Sequence, residues 1–328
     1  MKFLKDLEKQ TKKYKATVIL PEANIDERVL KAAAYCLKKD IVKVVVFGKE
    51  QQFPKLFKNS ENCKIIDIEK TKNLTDFANQ LFELRKDKGL TLQQAKSLFK
   101  HPGYYACMMI KNKLADGMIV GAKFTTAESI RPALQIIKAD KNSKFVTGST
   151  LMVKNNEKPF ILGDVSLIEK PDAEKLANIA VLNAEFMKNV LNIQPRVAML
   201  SYSTKGSAES DMVEIVRSAT KIAKKSKHII DGEMQLDCAV DAEVARRKGI
   251  DNQVGGKANV FIFPDLNAGN ICYKAISRFA KYAALGPIMI GMDAPVNDLS
   301  RGSTWQEIVD TIIITKLQVI HNKNALKK

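Results

Sequence analysis

The hydrophobic positions of the chain follow two patterns that alternate along the sequence. Apolar runs of strand length, at residues 17–20 and 42–48, are separated by a segment at residues 26–38 in which apolar residues recur at helical spacing. Such alternation is typical of α/β folds with parallel sheets. Residues 17–48 are therefore predicted to form one β-α-β unit.

Further elements continue this alternation toward the C terminus. The predicted strands are residues 117–121, 197–202, 228–231, 259–263 and 287–291. The predicted helices are residues 73–86, 92–99, 104–114, 173–191, 210–225, 239–248, 268–285 and 305–321. A charged stretch at residues 139–144 interrupts the pattern and resembles a linker. After it, Asn155 and Asn156 lie between two apolar runs and predict the turn of a β-hairpin.

The alternation on both sides of this linker predicts two α/β domains that join near residue 143. A length of 328 residues fits two domains of ordinary size. Periodicity alone does not decide whether the last strand and helix return to the first domain.

The charge of the chain is its one unusual compositional feature. Lys and Arg number 53 against 36 Asp and Glu, which gives a net charge of +17, whereas the hydrophobic fraction of 45% is ordinary for a globular protein. Only nine of the basic residues are arginine, and the lysines are spread along the chain without forming a basic block. The cysteines and histidines do not have zinc-finger spacing. Nucleic acid is therefore not expected as a partner, and a small anionic substrate is compatible with the charge.

The cysteines, the histidines and the apolar segments exclude other classes of protein. The five cysteines form no C-x-x-C pair and the three histidines no H-x-x-x-H pair, so neither a disulfide framework nor a metal site is predicted. Residues 1–15 are too charged for a signal peptide, and the most apolar later stretch, residues 283–292, is too short to cross a bilayer. We expect a soluble, cytoplasmic protein with no membrane partner.

A first candidate loop follows the strand that ends at Gly121. It carries the hydroxyl groups of Thr125 and Thr126, and Pro132 is typical of the first position of a helix. Arg131 is therefore predicted at a helix N-terminus, where it could hold a phosphate or carboxylate with two parallel hydrogen bonds. A salt bridge to a surface carboxylate is the alternative role for Arg131.

A second candidate loop, at residues 201–207, joins a predicted strand to a predicted helix. Ser203, Thr204, Lys205 and the following Gly206 could form a nest of N–H groups and hydroxyls that binds a phosphate. Alternatively, the segment is a polar turn in which a serine caps the next helix.

A third candidate loop, at residues 295–307, is the most specific of the three. It contains Ser300 and Arg301, and Thr304 with Glu307 fits a capping box that opens the last helix. Glu307 could satisfy backbone N–H groups, act as a general base beside a hydroxyl and an arginine, or do both. Arg85 is a further candidate for anion binding, because lysine cannot supply the planar fork of a guanidinium.

Four segments, taken together, resemble a known family. They are ELRKDKGLT (83–91), DGMIVGAKFTTAESIRPALQIIK (116–138), IFPDLNAGNICYK (262–274) and PVNDLSRG (295–302). Over nearly the whole chain and in this order, the sequence closely resembles phosphate acetyltransferases, also called phosphotransacetylases. The resemblance implies the reversible conversion of acetyl-CoA and phosphate into acetyl phosphate and CoA. CoA then enters as a substrate, and no cofactor and no metal are expected.

The resemblance also implies a fold and an assembly. It implies two three-layer α/β domains with mainly parallel sheets, an active-site cleft between them, and a homodimer. The C-terminal segment is expected to return to the first domain. The predicted domains are therefore residues 1–142 with 288–328, and residues 143–287.

The family's site residues can be matched to this sequence one by one. The serine and arginine of its SRG motif match Ser300 and Arg301, and two further arginines match Arg131 and Arg85. The family's aspartate seven positions after the motif serine, the base proposed to take the CoA thiol proton, is replaced here by Glu307. The resemblance implies that the arginines hold the phosphoryl group while Ser300 stabilises the oxyanion, with direct transfer in a ternary complex.

Three other interpretations remain open from the sequence. A phosphate butyryltransferase performs the same chemistry with a larger acyl pocket. A dehydrogenase of the isocitrate dehydrogenase type needs NAD(P) and a divalent metal, for which Asp231, Asp237 and Asp265 are candidate ligands. A covalent acyl-enzyme needs a nucleophile, for which Cys107 and Cys272 are candidates, although the sequence places no base to activate either thiol.

Overall fold

The structure of the protein is a computed structural model that describes residues 2–141 and 143–325. It divides into two compact units, which we call the central unit (mainly residues 141–291) and the terminal unit (residues 3–140 with those from 292 onward). The predicted boundaries, 142/143 and 287/288, fall close to these divisions, and the second lies within a strand of the central unit. Residues 1, 142 and 326–328 of the predicted domains lie outside the described residues.

The secondary structure alternates along most of the chain, as predicted. The strands are β1 (Thr17–Leu20), β2 (Lys43–Phe47), β3 (Cys63–Ile66), β4 (Gly117–Val120), β5 (Thr147–Val153), β6 (Phe160–Gly163), β7 (Arg196–Leu200), β8 (Ile229–Met234), β9 (Val260–Ile262), β10 (Ala283–Ile290) and β11 (Val296–Asp298). The helices are α1 (Lys2–Gln10), α2 (Glu27–Lys38), α3 (Lys55–Lys58), α4 (Leu74–Arg85), α5 (Leu92–Leu98), α6 (Pro102–Lys111), α7 (Thr126–Ile136), α8 (Ala173–Glu185), α9 (Asp211–Ala223), α10 (Leu236–Val240), α11 (Ala242–Arg247), α12 (Leu266–Phe279) and α13 (Trp305–Ala325).

The terminal unit is built on parallel strands in the order β3-β2-β1-β4-β11. The predicted β-α-β unit is confirmed, since β1 and β2 pair in parallel and α2 connects them. The apolar faces of α2 and α13 pack together in one buried cluster with β1, β2 and β4. The C-terminal strand and helix therefore belong to this unit, and the carboxyl ends of β1, β4 and β11 lie side by side.

The central unit has strands in the order β10-β5-β6-β9-β7-β8. The predicted hairpin is present as the antiparallel pair β5 and β6, and β10 adds antiparallel to β5. The strands from β6 through β9 and β7 to β8 are parallel. The predicted α/β class with mainly parallel sheets is thus confirmed.

Some predicted elements differ from the structure for identifiable reasons. Residues 239–248 form α10 and α11 instead of one helix, because the Asp241 side chain accepts hydrogen bonds from two backbone N–H groups and starts a new helix. The helix predicted at residues 268–285 ends at Phe279, since Ala283 begins β10, where pairing with β5 overrides helical spacing. The short strands β3 and β11 were not predicted, because β3 is only half-buried and β11 contains a single apolar residue, so neither forms a clear apolar run.

None of the helices in residues 2–141 and 143–325 combines the length and the apolar character needed to cross a bilayer.

Candidate active site

The turn after β11 places the SRG motif at the carboxyl edge of the terminal unit. The Ser300 carbonyl accepts a hydrogen bond from the Ser303 N–H at 2.8 Å, and the Ser300 hydroxyl accepts one from Gly302 at 3.3 Å. The predicted capping box is confirmed, since Glu307 Oε2 accepts from the Thr304 N–H at 2.7 Å and the Thr304 hydroxyl accepts from the Glu307 N–H at 3.2 Å. Ser300 therefore begins a hydrogen-bonded turn, Ser300–Ser303, which leads into the capping box that Glu307 completes in the first turn of α13.

Arg28, at the start of α2, fixes the Ser300–Ser303 turn, and all of its guanidinium N–H groups donate hydrogen bonds. Its side chain donates two hydrogen bonds to the Asp26 carboxylate, at 3.1 and 2.8 Å. The other three go to backbone carbonyls, those of Arg301 at 2.7 Å, Ser303 at 2.9 Å and Ala122 at 3.0 Å. Burial raises the pKa of Asp26, but the hydrogen bonds from Arg28 outweigh it and hold that pKa below its usual value.

Glu22 organises the loop that follows β4. Its carboxylate is buried after β1 and accepts four backbone N–H bonds, from Gly121, Ala122, Lys123 and Phe124, at 2.7 to 3.1 Å. These N–H groups form an anion-binding concavity that the protein fills with its own carboxylate. Sequence reasoning missed both Glu22 and Arg28. The available signal was the charge of Glu22, two positions after the end of a buried strand, whereas Arg28 lies inside α2 and carries no such signal.

The prediction that Arg131 lies at a helix N-terminus is wrong. Helix α7 begins at Thr126, with Thr125 as its cap and Glu128 completing a capping box, so Arg131 lies in the second turn and Pro132 lies inside the helix. The pattern T-x-x-E from Thr125 to Glu128 marks the true start more specifically than the proline does. Arg131 therefore does not share the free N–H groups of the helix end.

Arg131 and Arg85 both act electrostatically on Tyr104. Burial raises the pKa of the Tyr104 phenol, and the charges of Arg131 and Arg85 both oppose that rise, so both guanidinium groups act on the same hydroxyl. Tyr104 donates a hydrogen bond to Gln135 on α7 at 2.9 Å. Next to it, burial lowers the pKa of His101, and the Arg131 charge lowers it further. Arg85 and Arg131 thus lie within electrostatic range of one hydroxyl on the terminal unit.

The three arginines singled out by the sequence form no ion pair with the described residues. In the described part of the chain, the arginines with ion pairs are Arg28, Arg217 and Arg247, and Arg85, Arg131 and Arg301 form none. Arg131 and Arg301 are exposed and Arg85 is half-buried. Their charges are free for an anionic ligand.

The second candidate loop, in the central unit, already holds an internal anion. The buried Glu233 carboxylate accepts the Gly206 N–H at 2.8 Å and the Ser203 hydroxyl at 3.3 Å. Lys205 pairs with Asp231 at 2.8 Å. In this structure the predicted nest therefore holds a carboxylate of the protein itself. Phosphate binding by Ser203, Thr204 and Lys205 stays a prediction, and it requires that these partners be displaced.

The groups proposed for other chemistries have structural partners. Asp231 pairs with Lys205 and Lys224, Asp237 pairs with Lys248, and Asp265 caps α12. In residues 2–141 and 143–325, no cluster of three or more His, Cys, Asp or Glu side chains is arranged to hold a metal. Burial raises the pKa of the Cys107 thiol and of the Cys272 thiol, so neither is activated as a nucleophile.

Comparison with known proteins assigns the whole chain to one family. The family model described as phosphate acetyl/butaryl transferase matches residues 2–316. A phosphate acetyltransferase from Acetivibrio thermocellus is 44% identical over 98% of this chain and 100% of its own length. Phosphotransacetylases from Streptococcus pyogenes (35% identity, TM-score 0.89) and Staphylococcus aureus (37%, TM-score 0.84) each cover 97% of this chain and 98% of theirs. The chain therefore belongs to the phosphate acetyltransferase family, as its motifs implied.

Proposed function

We propose that the protein is a phosphate acetyltransferase, an acyltransferase that interconverts acetyl-CoA plus phosphate with acetyl phosphate plus CoA. The observation that carries the proposal is the Ser300–Ser303 turn. Arg28 fixes its backbone through two carbonyls, whereas the Arg301 guanidinium has no ion pair within the described residues. A rigid turn that presents an uncommitted guanidinium next to a serine suits the binding of a phosphoryl group.

The chemistry follows from Ser300 and Arg301 on this turn, together with Glu307 at the start of α13. In the direction of acetyl-CoA formation, Glu307 takes the proton of the CoA thiol as the sulfur attacks the acetyl carbonyl of acetyl phosphate. The new S–C bond forms, the C–O bond to phosphate breaks, and phosphate leaves with that electron pair. Ser300 donates a hydrogen bond to the carbonyl oxygen as it becomes negative. Arg301, Arg131 and Arg85 hold the phosphoryl group and favour its departure.

Glu307 is able to combine its two roles. Its Oε2 atom accepts the capping hydrogen bonds from Thr304 at 2.7 and 3.1 Å. No hydrogen bond to Oε1 occurs in the parts of the chain that the structure describes, which leaves one oxygen to accept a proton. The carboxylate is thus positioned by the helix start that it caps.

The proposal is tested by CoA-dependent, arsenate-sensitive turnover of acetyl phosphate. We expect activity in the unaltered protein, and for Arg301→Ala and Arg131→Ala a rise in the KM for acetyl phosphate of at least about tenfold. Arg246→Ala is the matched control, since Arg246 is exposed and lies on the surface helix α11. Absent turnover would refute the function, and full activity of Arg301→Ala would refute the assignment of the site.

Glu307→Gln separates the cap from the base. Glutamine keeps an oxygen for the Thr304 N–H, so folding should be preserved while kcat falls by about 100-fold or more. Normal turnover in this variant would exclude Glu307 as the base. Exchange of phosphate into acetyl phosphate without CoA would indicate a covalent acyl-enzyme in place of direct transfer.

Acetyl is the proposed acyl group because the relatives at 44% identity are named phosphate acetyltransferases. A phosphate butyryltransferase remains the alternative within the family. Relative turnover of acetyl and butyryl phosphate by one preparation decides between them. A dehydrogenase is disfavoured by the paired state of Asp231 and Asp237.

We further propose a cytoplasmic homodimer that needs neither metal nor cofactor and binds neither nucleic acid nor membrane. These properties rest on the family resemblance and on the scattered distribution of the lysines. Light scattering of the purified protein tests the dimer, and cell fractionation tests the location. Undiminished turnover after treatment with a chelator tests the independence from metal.

A further inference from the structure

A buried carboxyl next to the proposed site has no part in the mechanism above. Asp298 is the last residue of β11, two positions before Ser300, and is only 1% exposed. Its carboxyl oxygens make no hydrogen bond of full geometry with the described residues, and the nearest donors are the Thr126 and Ser129 hydroxyls and the Leu299 N–H. A buried carboxylate that is so weakly stabilised is costly, so its presence beside the site requires an explanation.

The packing around Asp298 fixes its position. Asp298 pairs with Val120 of β4, and a Cβ atom added to the next residue, Gly121, would lie 1.9 Å from Oδ1. On the other side lie the hydroxyls of Thr126 and Ser129, in the first turns of α7. The Ser129 hydroxyl is buried as well, and the Asp298 carboxyl is the group that it faces. The carboxyl is therefore wedged between the end of β4 and the helix that carries Arg131.

The groups that face Asp298 determine its charge. Burial raises the pKa of Asp298 to about 6, the Glu22 charge acts in the same direction, and the two hydroxyls of α7 oppose the rise. Glu22 in turn interacts electrostatically with Arg28 and with His101. The carboxyl consequently changes its charge between about pH 5 and pH 7.

We propose that Asp298 is a positioning residue of the transfer reaction, whose neutral form lets the Ser300–Ser303 turn and α7 hold the substrate phosphate and whose ionisation weakens that hold. The inference rests on the proposed function, because it concerns the same phosphate. Ionisation releases a proton to solvent and adds a second negative charge next to Glu22. That charge repels Glu22 across the junction of the turn with α7, and it opposes an anion held by Arg301 and Arg131.

The probe for this inference is sulfate, which does not titrate between pH 5 and pH 8. Trp305, the only tryptophan of the chain, follows the turn directly and reports sulfate binding by its fluorescence. For the unaltered protein we expect the dissociation constant of sulfate to rise about fivefold from pH 5 to pH 7.5, with a midpoint near 6. Asp298→Asn keeps the shape but not the charge, and its dissociation constant should not change with pH.

Two control variants separate Asp298 from its neighbours. His101→Asn keeps an acceptor for the Gly103 N–H that His101 caps, and it should retain the pH dependence of the unaltered protein. Arg301→Ala should bind sulfate at least about tenfold more weakly at every pH, which identifies the occupied site. An unchanged pH dependence in Asp298→Asn would overturn the proposal.

A second measurement needs no variant and covers the case that Asp298→Asn does not fold. Because anion binding favours the neutral carboxyl, sulfate binding near pH 6.5 must take up protons, measured by calorimetry in buffers of different ionisation enthalpy. No proton uptake would also overturn the proposal. Lack of acetyl phosphate turnover, with the pH-dependent sulfate binding intact, would count against the proposed function and leave the role of Asp298 in anion binding standing.

Discussion

Replacing Arg28 by lysine tests how strongly the Ser300–Ser303 turn depends on one side chain. Lysine offers three N–H donors in place of the five that Arg28 uses, and it lacks the planar fork that meets the Asp26 carboxylate. At least two hydrogen bonds of a charged donor are lost, at about 1.5 kcal/mol each at the low end of the usual range. Because the Arg28 side chain is 32% exposed, solvent recovers part of this, and we expect a loss of about 2 kcal/mol.

The assay is urea denaturation together with steady-state kinetics at a temperature where the variant is fully folded. We expect kcat/KM to fall by about tenfold or more, because the turn that presents Arg301 is no longer fixed. Arg247→Lys is the matched control, since Arg247 forms an exposed ion pair with Glu243 and its replacement should change neither quantity. A folded Arg28→Lys variant with unchanged stability and unchanged kcat/KM would refute the reasoning.

The Asp26–Arg28 pair should also make the free energy of unfolding depend on pH in acid solution. The pKa of Asp26 lies below its usual value in the folded protein, so the pair contributes stability that is present above about pH 4 and is lost as the pH falls through the lowered pKa. Arg28→Lys weakens that shift. The variant should therefore lose less stability than the unaltered protein as the pH falls below 4, which narrows the difference between their unfolding free energies.

Three further substitutions test other contacts of the terminal unit. Glu22→Gln turns an amide toward two of the four N–H groups and should lose about 3 kcal/mol in urea denaturation, with faster hydrogen exchange at residues 121–124. Gly121→Ala forces a Cβ against Asp298 at a φ of +102° and should lower the melting temperature far more than Gly89→Ala, where nothing lies within 4 Å. Burial raises the pKa of Asp310 to about 6, so folding favours its neutral form and Asp310→Asn should gain about 2 kcal/mol at pH 8 but not at pH 4, in denaturation at both pH values.

The sequence predicted the fold well where a periodic signal was long. The strands other than β3 and β11, and the helices α2, α4, α9 and α13, lie close to where alternation placed them, because each has a continuous apolar face. The capping box at Thr304 was found because its signal is local. The predicted start of α7 is wrong because it rests on Pro132, whereas the helix begins at the capping box formed by Thr125 and Glu128.

The contacts that build the site could not be predicted, because their partners are far apart in the sequence. Arg28 reaches the carbonyls of Arg301 and Ser303, and Glu22 reaches the N–H groups after β4. No local pattern indicates which carbonyls or N–H groups a buried charge will meet. In the same way, the nest at Ser203 has the expected composition but is filled by Glu233, which comes from another strand.

The pairing of β11 with β4 affects the order in which the two units fold during synthesis. Asp298 lies opposite Val120, so the terminal unit needs residues from both sides of the central unit. As the chain leaves the ribosome, the central unit can close its own sheet while β4 still has an open edge. Ser300, Arg301 and Glu307 arrive with the strand that covers this edge. A nascent chain that ends before β11 therefore lacks both the edge strand and the proposed catalytic turn, and we expect turnover only from chains that include residues 296–307.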